Sequence, residues 1–466
     1  MSRAAGRSFV NCLTPRIVIA GTGSGCGKTT VTLAVLAALQ KRLRLRAFKC
    51  GPDYIDPMFH RSVLGIASGN LDSFLLTEDT VRYLFAEGSR GADLAVIEGV
   101  MGYFDGQAMG DAASTHDIAR ILAAPVILVL NCRGRSRSAE AELLGFSKFA
   151  ADGLIKGVIF NEAAPSLVGK LSDYARQIGV TPLGFLPRMA NELKSRHLGL
   201  ITPDEIPGLK MQVDQLAAAA EESLDLEGIV RLAKSAGALS AKEPDICPGP
   251  ETAGHPVRIG MARDAAFDFL YEDNLRLLES AGAEIVYFSP MRDKALPDGL
   301  SGLYLCGGYP EVYAAQLSEN TSMLESVRLA VSREMPVFAE CGGFLYLHRL
   351  LTCEDGKTYP MAGVIPADAR FTGHLQHFGY VTMRAFKDTL LCRKGEQIRA
   401  HEFHRTVSDA ARDAFAVSKG EKQWTEYVAD GRLLAGYPHI HFWTDPRMAE
   451  RFVAACASYR KERQQT

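Results

Sequence analysis

Short runs of consecutive apolar residues alternate with longer amphipathic stretches along the first half of the chain. Stretches such as 29–42 and 138–151 have the apolar spacing of α-helices. Continuous runs of Val, Ile and Leu separated by helices are typical of a parallel β-sheet covered on both faces. The predicted strands of this half are 16–21, 45–51, 93–99, 125–131 and 156–161, with 181–187 as the last.

The second half repeats this alternation after a break. Residues 211–236 predict a helix rich in Ala, Leu and Glu, and 237–256 collect Pro, Gly, Ser and Ala with little periodicity. Further strands are predicted at 257–263, 284–290, 302–308 and 336–341. The pattern therefore predicts two α/β domains, at 14–236 and 257–460, joined by a linker at 237–256.

Length and composition narrow the class of protein. A chain of 466 residues exceeds one ordinary core, which also favours two domains. The 52 basic and 54 acidic residues nearly balance, which argues against a nucleic-acid-binding protein with a broad basic surface. No apolar run reaches the roughly 20 residues of a membrane span, and the polar first residues lack the apolar core of a signal peptide. We therefore expect a cytoplasmic protein that does not bind a membrane and whose ten cysteines are reduced.

A glycine-rich segment, GTGSGCGKTT at 21–30, follows the first apolar strand and precedes an apolar helix. Glycines such as Gly25 and Gly27 let the backbone approach phosphate oxygens, and the next helix offers its N-terminal N–H groups. Lys28 is predicted to reach the terminal phosphates, and Thr29, followed by Thr30, to hold Mg²⁺. The segment predicts an ATP site, although its first glycine stands one position earlier than in the strict phosphate-loop pattern.

Acidic groups follow two of the predicted strands. Asp53 and Asp56 come after the second strand, which carries Lys49, and Glu98 ends the third strand. Ligands of open parallel sheets gather at the carboxyl ends of strands, where carboxylates can hold the Mg²⁺ that bridges nucleotide phosphates. We expect Asp53 and Glu98, together with the phosphate-loop threonine, to be the metal ligands. Lys49 is predicted to balance a phosphate or a substrate carboxylate.

Cys341 lies between an apolar strand and a new apolar helix, directly before two glycines. This layout is typical of a nucleophile on a sharp strand-to-helix turn. A cysteine attacks a carboxamide as the thiolate, and His439 after a short apolar strand is the predicted proton acceptor. The predicted oxyanion hole is formed by Gly307, Gly308 and Gly342. Two other histidines, His401 and His404, are either structural or metal-binding. The sequence shows no third or fourth metal ligand to go with them.

Taken together, these motifs resemble the cobyrinic acid a,c-diamide synthase family over nearly the whole chain. The segments that carry the resemblance are 20–30, 49–57, 69–72, 98–106, 262–267, 306–311, 340–345, 401–404 and 439–442. The resemblance implies two doubly wound domains: a P-loop NTPase-like domain similar to dethiobiotin synthetase, then a class I glutamine amidotransferase-like α/β domain. It implies ATP- and Mg²⁺-dependent amidation of the a and c acetate groups of a corrinoid, cobyrinic acid, with L-glutamine as nitrogen donor. It also implies that Asp56, Asn70 and Asp72 help orient the macrocycle.

Some alternatives stay open on the sequence. Common class I amidotransferases have a glutamate two residues after the catalytic histidine, where this chain has His441, so we predict a Cys341–His439 dyad. The same chemistry on hydrogenobyrinic acid or Ni-sirohydrochlorin is a second possibility. A nucleotide-switch protein with an inactive amidotransferase-like domain is a third, and a homo-oligomer is compatible with each.

Overall fold

The computed structural model describes residues 9–189, 208–244 and 256–465. The chain divides into two compact units, Met1–Pro244 and Asp245–Thr466. Each unit has its own sheets and its own core, and each is described by itself below.

The first unit is built on a seven-stranded parallel sheet, which confirms the predicted α/β class. Its strand order is β4-β3-β5-β2-β6-β7-β8, so the strands of the predicted nucleotide and acidic motifs are neighbours. The strands are β2 (Arg16–Gly21), β3 (Leu45–Cys50), β4 (Ser68–Leu71), β5 (Leu94–Glu98), β6 (Val126–Asn131), β7 (Ile155–Asn161) and β8 (Thr181–Leu186). Every residue of β2 and β5 is buried, as expected of strands with helices on both faces.

Eight helices belong to the described part of this unit. The first, α1, begins at Lys28 directly after the glycine-rich segment and buries ten of its twelve residues. They are α1 (Lys28–Leu39), α2 (Ile55–Ser62), α3 (Glu78–Gly88), α4 (Thr115–Ile121), α5 (Arg137–Phe149), α6 (Pro165–Gln177), α7 (Leu209–Ser223) and α8 (Leu226–Lys234).

The segment at 211–236 is two helices, and the prediction of one was wrong. The break falls after Leu224, where the Asp225 carboxylate accepts a hydrogen bond from the Gly228 N–H at 2.7 Å and caps α8. An aspartate that caps a new helix ends the preceding one, whatever the apolar spacing on either side.

Part of the predicted linker has regular structure. Leu239–Lys242 forms β9, which pairs antiparallel with β1 (Phe9–Cys12) in a separate two-stranded sheet. The remainder of the predicted linker, from 245 to 255, lies outside the described residues.

The second unit contains a six-stranded sheet of order β11-β10-β12-β13-β23-β22, parallel except for its last strand. These strands are β10 (Val257–Ala262), β11 (Ala283–Phe288), β12 (Gly302–Leu305), β13 (Val337–Glu340), β22 (Val428–Asp430) and β23 (Leu433–Gly436). The helices are α9 (Glu272–Ser280), α10 (Ala314–Glu319), α11 (Thr321–Ser332), α12 (Gly342–Tyr346) and α13 (Arg447–Gln464). The predicted strands are present, and the predicted cysteine turn joins β13 to α12.

Two four-stranded sheets between β13 and β23 were not predicted. Their strands alternate buried and exposed residues, as in β18, and so lack the continuous apolar runs by which the main sheet is recognised. They are β14 (His348–Thr352), β15 (Thr358–Pro360), β16 (Ile365–Phe371) and β19 (Thr406–Ser408), then β17 (Gly379–Ala385), β18 (Gln397–Glu402), β20 (Phe415–Lys419) and β21 (Lys422–Glu426). Within the described ranges, no helix is long and apolar enough to cross a membrane.

Candidate active sites

The glycine-rich segment forms a tight turn around the Lys28 side chain. The Lys28 ammonium donates to the Gly23 carbonyl at 2.9 Å, so the chain curls over its own lysine. Gly27 has a φ of 99°, and a Cβ there would lie 2.1 Å from the Asn161 amide nitrogen, so only glycine fits. The same amide donates to the Cys26 carbonyl at 3.0 Å and thereby ties β7 to the turn. This geometry leaves Ser24 and Gly25 exposed at the rim, as a phosphate cradle requires.

Glu98 connects the phosphate turn to the segment that carries Lys49, Asp53 and Asp56. It is fully buried at the end of β5, and its Oε1 accepts from the Thr29 hydroxyl at 2.6 Å and from the Lys49 ammonium at 3.1 Å. The Lys49 ammonium also donates to Asp56, and it lies 4.0 Å from Asp53. The parallel register of β3 and β5, which sets Lys49 opposite Glu98, brings these predicted residues together.

The charged groups of this cluster shift one another's pKa values. Burial alone would lower the pKa of Lys49, but the carboxylates of Asp56 and Glu98 outweigh it and raise that pKa above its usual range. Burial opposes ionisation of Glu98, yet Lys49 and the neighbouring His60 hold its pKa well below the usual value. Burial, followed by the negative charge of Glu98, raises the pKa of Asp56. One buried cation therefore serves several carboxylates, and Asp56 is the one most easily protonated.

Asn70 and Asp72, expected to orient a substrate, make contacts within the fold. The Asn70 amide donates to the carbonyls of Gly51 and Asp53, at 2.9 and 2.7 Å, and so fixes the turn that carries Asp53. Asp72 is buried and accepts from the N–H groups of Phe74 and Leu75, which caps the turn after β4. Their observed contacts are those of residues that position the site.

Burial lowers the pKa of Lys28. The loop after Glu98 packs against the phosphate turn, because the Tyr103 N–H donates to the Gly21 carbonyl at 2.8 Å. The Tyr103 carbonyl in turn accepts from the His116 N–H at 2.9 Å. The His116 ring bridges two carboxylates, Asp111 at 2.7 Å and Asp152 at 2.6 Å. Nothing in the spacing of these residues had indicated this tether.

Cys341 lies on the predicted turn, with φ 45° and ψ −99°, between β13 and α12. Its N–H donates to the Gly436 carbonyl at 2.7 Å, which fixes the thiol against the end of β23. Gly343 packs against the backbone of the neighbouring strand β12. A Cβ on Gly343 would lie 2.1 Å from the Leu305 carbonyl oxygen. A positive φ followed by a glycine packed on a neighbouring strand is the strained geometry by which such turns expose a nucleophile.

The three glycines predicted as an oxyanion hole differ in their bonds. The Gly307 N–H donates to the Phe269 carbonyl at 3.2 Å, so this N–H is already bonded within the fold. A Cβ on Gly342 would lie 2.8 Å from the Gly308 nitrogen, so these two backbones face each other beside the thiol. The described residues offer no acceptor to the Gly308 N–H. Gly308 and Gly342 therefore remain the candidates for oxyanion donors.

His439 follows β23, the strand beside the one that leads to Cys341. A Cβ on Gly307 would lie 2.4 Å from His439 Cε1, which places the imidazole against the glycine turn. The next residue is fixed by a buried glutamate, since the Ile440 N–H donates to Glu340 at 2.6 Å. Burial and the nearby rings of His401 and His404 lower the pKa of His439 to about 3, so the imidazole is neutral and able to accept a proton.

His441, which stands where class I enzymes have a glutamate, is fully buried, and its ring accepts from the Trp443 N–H at 3.4 Å. His404 contacts Glu402 at 2.9 Å and the Thr406 carbonyl at 2.7 Å. Within the ranges 9–189, 208–244 and 256–465, no group of three His, Cys, Asp or Glu residues is arranged to hold a metal.

The thiol itself is in a neutral resting state. Burial raises the pKa of Cys341 well above its usual value, and the carboxylates of Glu311, Glu340 and Glu402 raise it further. The Gly342 N–H works in the opposite direction. Sequence reasoning assigned no role to these carboxylates, although they lie in the segments 306–311, 340–345 and 401–404. It also missed His60 and Asn161, because each acts from a different strand or helix and neither belongs to a recognisable spacing.

Comparison with known proteins accounts for both halves. Residues 17–201 match the CobQ/CobB/MinD/ParA nucleotide binding domain, and residues 258–447 match the CobB/CobQ-like glutamine amidotransferase domain. Cobyrinate a,c-diamide synthase of Thermoplasma volcanium is 37% identical over 459 residues, covering 97% of this chain and 99% of that protein. The chain belongs to the cobyrinate a,c-diamide synthase family.

Other members show similar agreement along their length. The synthases of Salmonella typhimurium and Thermoplasma acidophilum are each 40% identical, over 453 and 451 residues, and the aligned regions cover 97% and 99% of those proteins. The family and the two-domain α/β fold predicted from the sequence are thereby confirmed. As a member of this family, the chain is a glutamine-dependent ligase with a nucleotide-binding unit and an amidotransferase unit.

Proposed function

We propose that the chain converts cobyrinic acid to cobyrinic acid a,c-diamide, with ATP activating each acetate and glutamine supplying each nitrogen. The observation that carries this proposal is the buried Thr29–Glu98–Lys49 cluster, which lies directly beside the phosphate turn. Curated relatives that align over almost their whole length are named for this reaction, which supports the same substrate here.

A carboxylate is a poor electrophile, so activation by phosphoryl transfer must precede attack by ammonia. In the proposed mechanism Lys28 offsets the negative charge on the transferring phosphoryl group. Lys49 pairs with the substrate carboxylate or a phosphate oxygen. Ammonia then displaces phosphate from the acyl phosphate and leaves the amide.

The residues beside the phosphate turn fit the Mg²⁺ that nucleotide chemistry uses. The Thr29 hydroxyl and the Glu98 carboxylate lie 2.6 Å apart, and Asp53, in the turn after β3, lies 4.0 Å from the Lys49 ammonium that also contacts Glu98. Hard oxygen donors are therefore grouped around this point. These three residues would hold the ion, and further oxygens would come from phosphates and water. Bound there, the ion would offset charge on the phosphate oxygens.

In the second unit, Cys341 attacks the glutamine side-chain carboxamide as His439 accepts the thiol proton. The His439 proton then leaves with the ammonia, and water releases glutamate from the resulting thioester. Gly308 and Gly342 are proposed to donate to the oxyanion.

The test is a direct one. The purified protein, ATP, Mg²⁺ and glutamine are incubated with cobyrinic acid, hydrogenobyrinic acid or Ni-sirohydrochlorin, and mass spectrometry separates acid, monoamide and diamide. We expect ATP-dependent diamide from cobyrinic acid. Turnover of only one of the other two tetrapyrroles would reassign the substrate, and absence of any amide would overturn the proposal.

A further inference from the structure

Glu311 lies in the turn that follows β12, three residues after the glycine pair beside the thiol. The turn packs closely on the nucleophile: a Cβ on Gly342 would lie 3.0 Å from the Pro310 ring. Burial has the largest effect on the pKa of Cys341. Of the carboxylates that raise this pKa further, Glu311 has the largest effect. The carboxylate is therefore part of the thiol's surroundings without being part of the Cys341–His439 pair.

Glu402 and Glu311 each have a buried carboxylate oxygen with no hydrogen-bond partner among the described residues, and of the two Glu311 lies in the turn that packs on Gly342. The Oε2 of Glu311 is buried, and nothing in the described parts of the chain bonds to it. Glu340 accepts from Tyr304 and Ile440, and Glu402 contacts His404. Burying an unpaired carboxylate is unfavourable, and here burial raises the pKa of Glu311 to about 7. A site that keeps such a group is incomplete until a cation arrives.

Glutamine carries one cation, its α-ammonium group. We propose that Glu311 binds the α-ammonium of glutamine, and that this ion pair promotes ionisation of Cys341 by cancelling the negative charge that opposes it. The inference rests on the proposed function for the identity of the nitrogen donor. The thiol thus stays protonated and unreactive in the empty site, and becomes a better nucleophile when an amino acid with the correct head group is bound.

Three variants test the binding role. Glu311→Gln removes the charge at constant size, Glu311→Asp restores it on a shorter stem, and Glu319→Gln is a matched control on the exposed end of α10. Glutaminase kcat/KM is measured with glutamine and with 4-carbamoylbutanoate, which lacks the α-amino group. Loss of one partner of a buried charge pair typically weakens binding by a factor on the order of 10² or more.

We expect Glu311→Gln to lower kcat/KM for glutamine by a factor on the order of 10² and to change kcat/KM for 4-carbamoylbutanoate little. Glu311→Asp should recover part of the kcat/KM for glutamine. Ammonia-dependent amidation should be unchanged in all three variants, which separates this inference from the proposed function. Equal losses with both substrates, or no loss with glutamine, would overturn the binding role.

A second measurement tests the coupling to the thiol. The rate of alkylation of Cys341 by iodoacetamide is followed against pH by mass spectrometry of its peptide, with and without bound L-glutamate, which carries the same ammonium group. In the parent, the apparent pKa of Cys341 should fall when L-glutamate binds. In Glu311→Gln it should already be lower in the empty enzyme, and L-glutamate should not lower it further. An apparent pKa that is the same in parent and variant under both conditions would refute the coupling.

Discussion

Cys341 is the proposed nucleophile of the amidotransferase unit, and its backbone conformation and its pKa are both unusual. A positive φ holds the thiol at the tip of the turn, and burial keeps it neutral. We predict that Cys341→Ser abolishes glutamine-dependent amidation, because a serine hydroxyl ionises far less readily than a thiol. Ammonia-dependent amidation should persist. Product analysis with each nitrogen donor checks both statements, and loss with both donors would contradict the division of labour.

The carboxylates of the first unit can be separated by the product they leave. Asp53 is about one-third exposed, so its neutral variant should weaken activation with little effect on stability. Glu98 is fully buried and bonded to Lys49, so its neutral variant should weaken activation and also lower the stability of the unit. We predict that Asp53→Asn, Asp56→Asn and Glu98→Gln accumulate a monoamide, because two activations are needed for each diamide.

Mass spectrometry of timed reactions shows the monoamide as an early peak that persists. Asp173→Asn on the exposed face of α6 is the matched control and should behave as the parent. Diamide formation at the parent rate in all three variants would show that these carboxylates are not part of the site.

At the residue scale, the predictable part of the site was the part with a recognisable sequence context. Cys341 directly follows an apolar strand and precedes two glycines, and Lys28 ends a glycine-rich turn. His60 and Asn161 had no such context, because their importance comes from strands and turns far away in the sequence. The N–H of Gly307 is used by a backbone bridge to Phe269, and no local pattern in the sequence reveals that bridge.

At the scale of elements, the backbones of β12 and α12 approach each other very closely in the second unit. A Cβ on Gly343 would lie 2.1 Å from the Leu305 carbonyl oxygen, a backbone atom that cannot move aside. We predict that Gly343→Ala destabilises this unit by about 3 kcal/mol or more, which thermal unfolding would detect as a lower Tm. Gly169→Ala in α6 is the control, since no atom lies within 4 Å of its new Cβ and helix propensity favours alanine. An unchanged Tm for Gly343→Ala would mean that the turn is not packed as described.

The loop between β5 and α4 is held by a histidine whose charge should depend on pH. Burial would lower the pKa of His116, but Asp152 and Asp111 outweigh it and raise that pKa. A raised pKa in the folded state means that the tether stabilises below the unfolded pKa of about 6.5, and that this stabilisation is lost as pH rises through the folded pKa. We predict that His116→Gln lowers Tm more at about pH 6 than at about pH 9.

The control for this measurement is His374→Gln, an exposed histidine. Its effect on Tm should be small at both pH values. If His116→Gln lowered Tm by the same amount throughout, the tether would act through shape and not through charge.

Strands that are buried on both faces were easier to predict from the sequence than strands that are half-exposed. Most of the parallel strands are buried on both faces and carry unbroken apolar runs, so their positions were found within one or two residues. The strand β12 ends three residues before its predicted end, and the four-residue strand β4 was not predicted. The antiparallel strands of the second unit are half-exposed, and their alternating pattern was overlooked. The break at Asp225 was missed because the capping hydrogen bond depends on one side chain within an otherwise helical composition.

At the scale of the whole molecule, the two chemistries should be separable by mutation. In the proposed function, Lys28 acts on phosphate in the first unit and Cys341 acts on glutamine in the second. We predict that Lys28→Ala stops amidation with either nitrogen donor, because it removes the charge that stabilises phosphoryl transfer. Labelling of Cys341 by a glutamine-like electrophile should continue. Normal ammonia-dependent turnover in this variant would refute the assignment of Lys28.

The pairing of β1 with β9 has a consequence for how the protein is made. β1 leaves the ribosome first, and its partner, Leu239–Lys242, is translated only after all seven strands of the main sheet. Until then Phe9–Cys12 is an unpaired strand edge on a nascent chain, the kind of surface that chaperones cover and that promotes aggregation. A gene divided to express the first unit alone should therefore be cut after residue 242. A cut at 236 would leave every copy with that edge permanently exposed.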